Sequence, residues 1–333
     1  MLVAFFLTGL PELFPGVIPI VGRHLAFIVF WWILGRFSFW FIDYFGIFFT
    51  GFINISLTAY ISYLAAIPAF RDRNKRHTSL AYSMVSIVII QAIFFLSESK
   101  ILNIDSYKIL LLSMILFLVL ILLALRRVSM ESINELLNQE NISEIFLAKS
   151  FRYNLAIFCL LLYGFVELFF PNNSTLAYIC FACGSATFAL LNDFVLKDNN
   201  ILFKPFVLYI ISTISITAIG FFFLGFNYLF ELNITNHFRH FLTTGSFGMV
   251  FYVIMIIVST IHTGRKIFTN WALTLGLILI IIATFMRAFI PFYIEYSMAL
   301  YILSSIIWAI PFIIYMKIFF PFLLQVRADG IKG

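Results

Sequence analysis

An all-α, polytopic integral membrane helical bundle is the fold class this sequence predicts, and three observations carry it. Of 333 residues, 63% are hydrophobic and only 11% charged, with 44 Phe, whereas a soluble domain carries about a quarter charged residues. The apolar residues fall into runs of roughly 20, the length that crosses about 30 Å of hydrocarbon. The basic residues gather between those runs, mostly in alternate loops. Hydrocarbon accepts Phe, Ile and Leu on an outward face, so a bilayer removes the conflict that this much apolar surface creates in water. The net charge of +6 follows membrane topology rather than one basic face, which argues against a nucleic-acid partner.

Taken in order, the runs place spans at 24–42, 45–70, 78–97, 107–125, 152–170, 174–196, 204–226, 240–262, 270–290 and 296–321. They make about ten full crossings in a single membrane domain, 1–333. Met1 to Leu10 is a shorter apolar run, stopped by Pro11, Glu12 and Pro15. It is too short to cross and lacks the basic start of a signal peptide. Residues 1–22 are therefore expected to be a residual helix end and its loop, with the start of that partial helix missing. The longest connection, 126–151, is expected to be a cytoplasmic amphipathic linker of one or two surface helices, from Ile133, Leu136, Leu137, Ile145 and Leu147. No repeat is visible at the residue level, so an inverted-repeat transporter has no support there.

Charge decides the sidedness. One set of loops holds Arg23, Arg71, Arg73, Lys75, Arg76, Arg126, Arg127, Lys149, Arg152, Lys197, Lys204, Arg265, Lys266, Arg327 and Lys332, fifteen in all; the alternate loops hold Lys100, Lys108 and Arg239. The richer side is cytoplasmic under the positive-inside rule. This is expected to put the C-terminus in the cytoplasm.

Ionisable groups inside hydrocarbon cost a few kcal/mol or more, so each is a site candidate. They are Arg36, Asp43, Glu167, Asp193, Arg287 and Glu295, with His240 at a helix start. Arg36, Glu167 and Arg287 all fall near outer helix ends. The plainer account is that Arg36 and Arg287 reach lipid phosphates or pair with Asp43 and Glu295. The most distinctive stretch is HFRHFLTTGSFG, beginning at His237, running on to IHTGR at 261–265. His240 and His262 are 22 residues apart, about 33 Å along a straight helix and on roughly one face. They cannot share one metal ion, but each is a possible haem or copper ligand. Gly245 and Gly248, with Thr243 and Ser246, offer a small-residue face to a neighbouring helix or a flat cofactor. Interfacial histidines also commonly face headgroups, and His24 and His77 lie in basic loops where that account is stronger. Cys180 and Cys183 are one turn apart in an apolar span, where close packing outweighs metal or redox work; with Cys159 they form no disulfide framework. Phosphate-loop, nucleophile-elbow, zinc-protease and dinucleotide signatures are missing.

HFLTTGSFG followed by IHTGR resembles the His-Ala-Leu-Thr-x-Gly-x-x-Gly and Gly-His-Thr-Gly-Arg pair of the NnrS family. PFLLQVRADGIKG is similar to that family's Pro-x-Leu-x-x-x-Arg-x-Asp-Gly-x-x-Gly tail. FFLTGLPELFPG, FWWILGRF and RDRNKR also fit its pattern, in the right order along the chain. The resemblance implies a haem- and copper-containing membrane protein, usually of twelve helices, that helps bacteria tolerate nitric oxide. Carried over by position, His240 and His262 match the family histidines, and Arg36, Gly264, Arg265 and Arg287 match neighbouring positions. The implied metal ligands are His240 and His262, with Arg36 and Arg287 as further cofactor-binding candidates. The implied partners, beside membrane lipids, are nitric oxide or iron-nitrosyl species. Three departures stand out: the family's Trp-His-Ala-His-Glu segment is absent, no Ile-Pro-x-Phe-Thr follows Arg127, and Ile261 replaces a usual Gly.

Three functions compete at this point. A haem- or copper-binding protein of nitric oxide tolerance leads, without the dense histidine cluster a catalytic reductase needs. A transporter of an amphipathic or lipid-linked solute predicts substrate protection of Arg36 or Glu167 and no metal. A non-functional truncated family member predicts neither.

Overall fold

The computed structural model describes residues 17–18, 20–72, 78–171, 173–196, 199–268, 270–328 and 330, with backbone alone at 199 and 200. The expected partial helix at 1–10, and Arg73, Lys75, Arg76, His77, Lys197 and Lys332, lie outside these residues. The structure is 84% helical and shows no strand among the described residues. In chain order the main helices are α1 (Gly22–Trp40), α2 (Ile42–Arg71), α3 (Thr78–Glu98), α4 (Ser106–Gln139) and α5 (Ser150–Phe169). There follow α6 (Thr175–Phe188), α7 (Pro205–Leu229), α8 (Thr235–His262), α9 (Trp271–Phe289) and α10 (Ser297–Leu324).

Among the described residues, eight segments are long and apolar enough to cross a membrane. The expected count of about ten differs for two physical reasons. α1 has the length but carries Arg23, His24 and Arg36 within 19 residues. The last segment, Trp271–Leu324, is 54 residues long, about 81 Å if straight and more than twice a hydrocarbon core. It absorbs two expected spans, joined through the irregular turn Ile290–Tyr296, where Tyr293 leaves helical geometry at φ −134°, ψ 53°.

The chain divides into two compact units, 1–123 and 124–333. In the first, α1, α2, α3 and the start of α4 share a core of Ile28, Leu57, Ile61, Met84, Ile87 and Leu120. Small residues bring the helices close: Gly51 lies against the Phe95 ring, and Ala65, Ala69 and Ala81 are buried. The reversal between α1 and α2 is completed at Gly46, whose φ of 76° suits a residue without Cβ. Phe30, Phe37, Phe48 and Phe52 point outward, as lipid permits.

In the second unit α4 runs on unbroken to Gln139. The front half of the region read as a surface linker is thus the end of a long helix. Ile133, Leu136 and Leu137 are buried, and so is Phe146 in the extended stretch beyond it. Asn134 holds that stretch by accepting from the Phe146 N–H at 2.7 Å and donating to its carbonyl at 3.1 Å. Ile145 and Leu147 do face outward. At the neighbouring helix end, the buried Asp193 carboxylate accepts from the Lys149 N–H at 3.0 Å and pairs with Arg152.

Packing of α5 to α10 uses glycines as seats for aromatic rings. Phe222 of α7 lies on Gly184 of α6, and Phe181 of α6 lies on Gly225 of α7. In lipid no hydrophobic gain drives helices together, so close van der Waals fit at small residues does the work. A cluster of Phe223, Phe238, Phe241, Phe285 and Phe289 joins α7, α8 and α9. Each such ring pair contributes roughly 0.5–1.5 kcal/mol beyond its buried area. Cys180 and Cys183 are free thiols buried in this unit.

Candidate functional site

In the first unit the intramembrane cation is Arg36. Its Nη2 donates to Asn54 Oδ1 at 2.6 Å, and the buried Asn54 donates onward to the carbonyls of Gly35 at 3.3 Å and Thr50 at 2.9 Å. A Cβ at Gly35 would stand 3.0 Å from Asn54 Oδ1, so glycine is what admits the amide. The guanidinium also lies 6.0 Å from the ring centres of Trp32 and Phe39. A neutral amide therefore holds Arg36, and not Asp43, which sits in the reversal between the helices.

In the second unit the polar centre is Glu167 of α5, only 4% exposed. Its Oε1 accepts from Tyr163 OH at 2.5 Å, Arg239 Nη2 at 2.6 Å and Tyr228 OH at 3.1 Å. Arg239 Nη1 donates to Asn236 Oδ1 at 2.5 Å. The other carboxylate oxygen, Oε2, is buried and has no hydrogen-bond partner among the described residues, and the same holds for Nδ1 of His237. The start of α8 is fixed by Asn227, which accepts from the Ile234 N–H at 2.9 Å and donates to Thr235 Oγ1 at 2.8 Å. Residues from α5, α7 and α8 thus converge on one carboxylate, with Cys180 of α6 close enough to interact electrostatically. Only Glu167 of this set stood out in the sequence as a site candidate. Tyr163 and Glu167 are four apart, one helical turn, but neither that spacing nor a lone basic residue at 239 announces a pair.

His240 enters α8 just before a π-helical stretch, Phe241–Phe247. A π turn holds more residues than an α turn and rotates the remainder of the helix by about 100° per extra residue. The expectation that His240 and His262 share a face assumed an unbroken α-helix, and this π turn lies between them. Around it, Gly245 receives the methyls of Ile216 and Thr284, and Gly248 receives the Trp308 indole. Trp308 Nε1 donates to the Thr244 carbonyl at 3.1 Å. The small-residue face is therefore filled by protein side chains rather than left for a flat group.

His240 itself is half-buried. Its Nδ1 lies 3.4 Å from Thr244 Oγ1 and 3.5 Å from Thr243 Oγ1. Among the described residues these hydroxyls are its hydrogen-bonding neighbours, both lie on the Nδ1 side, and no partner is recorded for Nε2. The His237 ring centre is 6.3 Å away, and Arg287 of α9 is an electrostatic neighbour. Arg287 donates from Nη1 to Ser305 Oγ at 3.3 Å and lies 4.8 Å from the Tyr301 ring centre. Its partners come from α10 and do not include Glu295.

His262 ends α8 next to a latch. Gly264, at φ 66°, closes the helix with the Arg265 N–H bonded back to the Thr260 carbonyl at 3.1 Å. Arg265 lies 4.1 Å from the Phe322 ring centre and donates to Gln325 Oε1 at 3.0 Å. Ala328 N–H donates to the Thr263 carbonyl at 3.0 Å. The IHTGR turn and the PFLLQVRA stretch, distant in sequence, meet here.

These features define a multi-pass helical membrane protein with a buried, charge-neutralised polar centre and an open imidazole beside it. The family model of the NnrS protein matches residues 1–327, and the chain belongs to the NnrS family. No curated protein and no solved structure matches it. Membership suggests a membrane protein of the nitric oxide response. The family is generally associated with haem and copper. A single imidazole such as His240, with no partner recorded for Nε2 among the described residues, fits one protein ligand to haem iron. It does not fit a copper centre of three or more protein ligands, because no group of three His, Cys, Asp or Glu residues is placed for a metal among the described residues.

Proposed function

We infer that this chain is a haem-binding protein of nitric oxide tolerance in the bacterial inner membrane, with its C-terminus in the cytoplasm. The observation that carries the reading is the open Nε2 of His240 beside Arg287 in a chain matched to the NnrS family over residues 1–327. His240 would hold the haem iron through Nε2. When bound, haem iron supplies a site at which nitric oxide is captured. The hydroxyls of Thr243 and Thr244 orient the imidazole through Nδ1, as outer partners of metal-bound histidines do. His262 is a second, separate candidate ligand beside the Thr263–Arg265 latch, and Arg36 a cofactor-binding candidate of the first unit. Copper binding would have to draw on His240 or His262 with donors beyond the groupings found among the described residues. The role is capture or protection rather than turnover.

The test is an optical spectrum and metal analysis of protein purified in mild detergent, with and without nitric oxide. A Soret band that shifts with nitric oxide and is lost in His240→Ala is the expected result. A folded, colourless, metal-free protein sinks the reading. It would leave the transport reading, which the buried polar centre at Glu167 favours, and for which solute-dependent protection at Glu167 is the sign to seek.

A further inference from the structure

Arg152 and Arg239 of the second unit have their own carboxylates, Asp193 and Glu167. Arg287 does not: among the described residues it has one hydroxyl at 3.3 Å and one tyrosine ring, much as Arg126 of α4 has the Ser150 hydroxyl and the Tyr153 ring. A guanidinium carries five N–H donors, so most of them have no protein acceptor. A cation in that state at the edge of hydrocarbon calls for an external anion.

Position says which kind. α9 has 19 residues, about 28 Å, close to the thickness of the hydrocarbon core. Arg287 lies two residues before its end, which in a helix of that length would bring it to the edge of the hydrocarbon. The hydroxyl it touches belongs to Ser305, which faces outward on α10. From Ser305 a continuous outward stripe runs along α10 away from that end: Ile306, Ala309, Ile313, Met316 and Phe320. Ile306 is 55% exposed, Ile313 66%, Met316 49% and Phe320 52%. The spacing of three and four keeps them on one face for about 21 Å, the reach of most of an acyl chain. A free inorganic anion would have no use for such a stripe.

We propose that Arg287 and Ser305 hold the phosphate of one specifically bound phospholipid, whose acyl chain lies along the Ile306–Phe320 face of α10. The proposal is independent of any metal at His240. Native mass spectrometry of protein released from phospholipid nanodiscs, prepared metal-free, tests it. Wild type should retain one phospholipid through mild delipidation. Arg287→Gln should lower that occupancy about tenfold, Ser305→Ala by less, and Arg265→Gln should leave it at the wild-type level. Equal retention in wild type and Arg287→Gln overturns the proposal. So does displacement of nothing but inorganic phosphate, with no lipid retained, which would mark a free-anion site. Should Arg287→Gln fail to fold, cross-linking of a photoactivatable phospholipid to wild type decides. Labelling on the Ile306–Phe320 stripe supports the site, and labelling spread over all outward helix faces refutes it. His240→Ala should remove the cofactor band while leaving lipid retention intact, so failure of one reading is distinguishable from failure of the other.

Discussion

Glu167 concentrates three hydrogen bonds on one oxygen, and Arg239, 12% exposed in its side chain, depends on that oxygen for its counter-charge. Glu167→Gln keeps the shape and removes the charge, stranding a buried guanidinium. Breaking one side of a buried ion pair costs about 3–5 kcal/mol. Thermal unfolding in detergent should therefore show a large loss for Glu167→Gln, and a smaller one for Glu167→Gln combined with Arg239→Gln. Equal loss in the single and double variants would mean that the pair is not coupled. The sequence marked Glu167, Arg36 and Arg287 because charge inside an apolar run is visible in one dimension. Their partners were not visible: Asn54, Tyr228 and Ser305 are ordinary residues until two helices bring them face to face. The expected pairs Arg36 with Asp43 and Arg287 with Glu295 chose the acid nearest in sequence. Asp43 and Glu295 lie in the reversals, whereas the real partners lie on facing helices.

At the scale of one element, α8 is the instructive case. Its apolar periodicity and its small residues were legible, and so was its length. The π stretch at Phe241–Phe247 was not, since no residue type demands it. What supports it are contacts from three neighbours: Ile216 of α7, Thr284 of α9 and Trp308 of α10. An added Cβ at Gly248 would lie 2.7 Å from Trp308 Nε1. Gly248→Ala should accordingly destabilise the protein by roughly 1–3 kcal/mol, the usual cost of overpacking, read as a lower midpoint in the same thermal assay. A Gly248→Ala protein as stable as wild type would show that Trp308 moves aside freely. Gly46→Ala acts through the backbone instead: the residue meets open space but must hold φ 76°, ψ 159°, a region essentially confined to glycine, so the expected loss is about 1–3 kcal/mol.

Across the whole molecule, the spans were placed to within a few residues wherever a helix lies inside one run of apolar residues. Boundaries failed where a helix outlives its hydrophobic run, as α4 does to Gln139, because the helix is held there by buried Ile133, Leu136 and Leu137 rather than by lipid. The proposed orientation, argued from the distribution of Lys and Arg, has the loops after α4 and α8, and the C-terminus, in the cytoplasm. A reporter active only in the cytoplasm, fused after Ala328, should be active; a fusion at Asn233, in the loop between α7 and α8, should be silent. The reverse pattern would invert the protein in the membrane.

Glu167 and Arg239 also set a timetable. They are 72 residues apart in the chain, which at roughly 5–20 residues per second separates their synthesis by about 4–14 s. Through that interval α5 carries a carboxylate whose cation does not yet exist. The segment has reason to wait at the membrane surface or within the insertion machinery until that cation is made. α5 and α8 are thus bound to be finished together, and a chain cut between Phe230 and Arg239 would carry a fifth helix with reason to leave the bilayer.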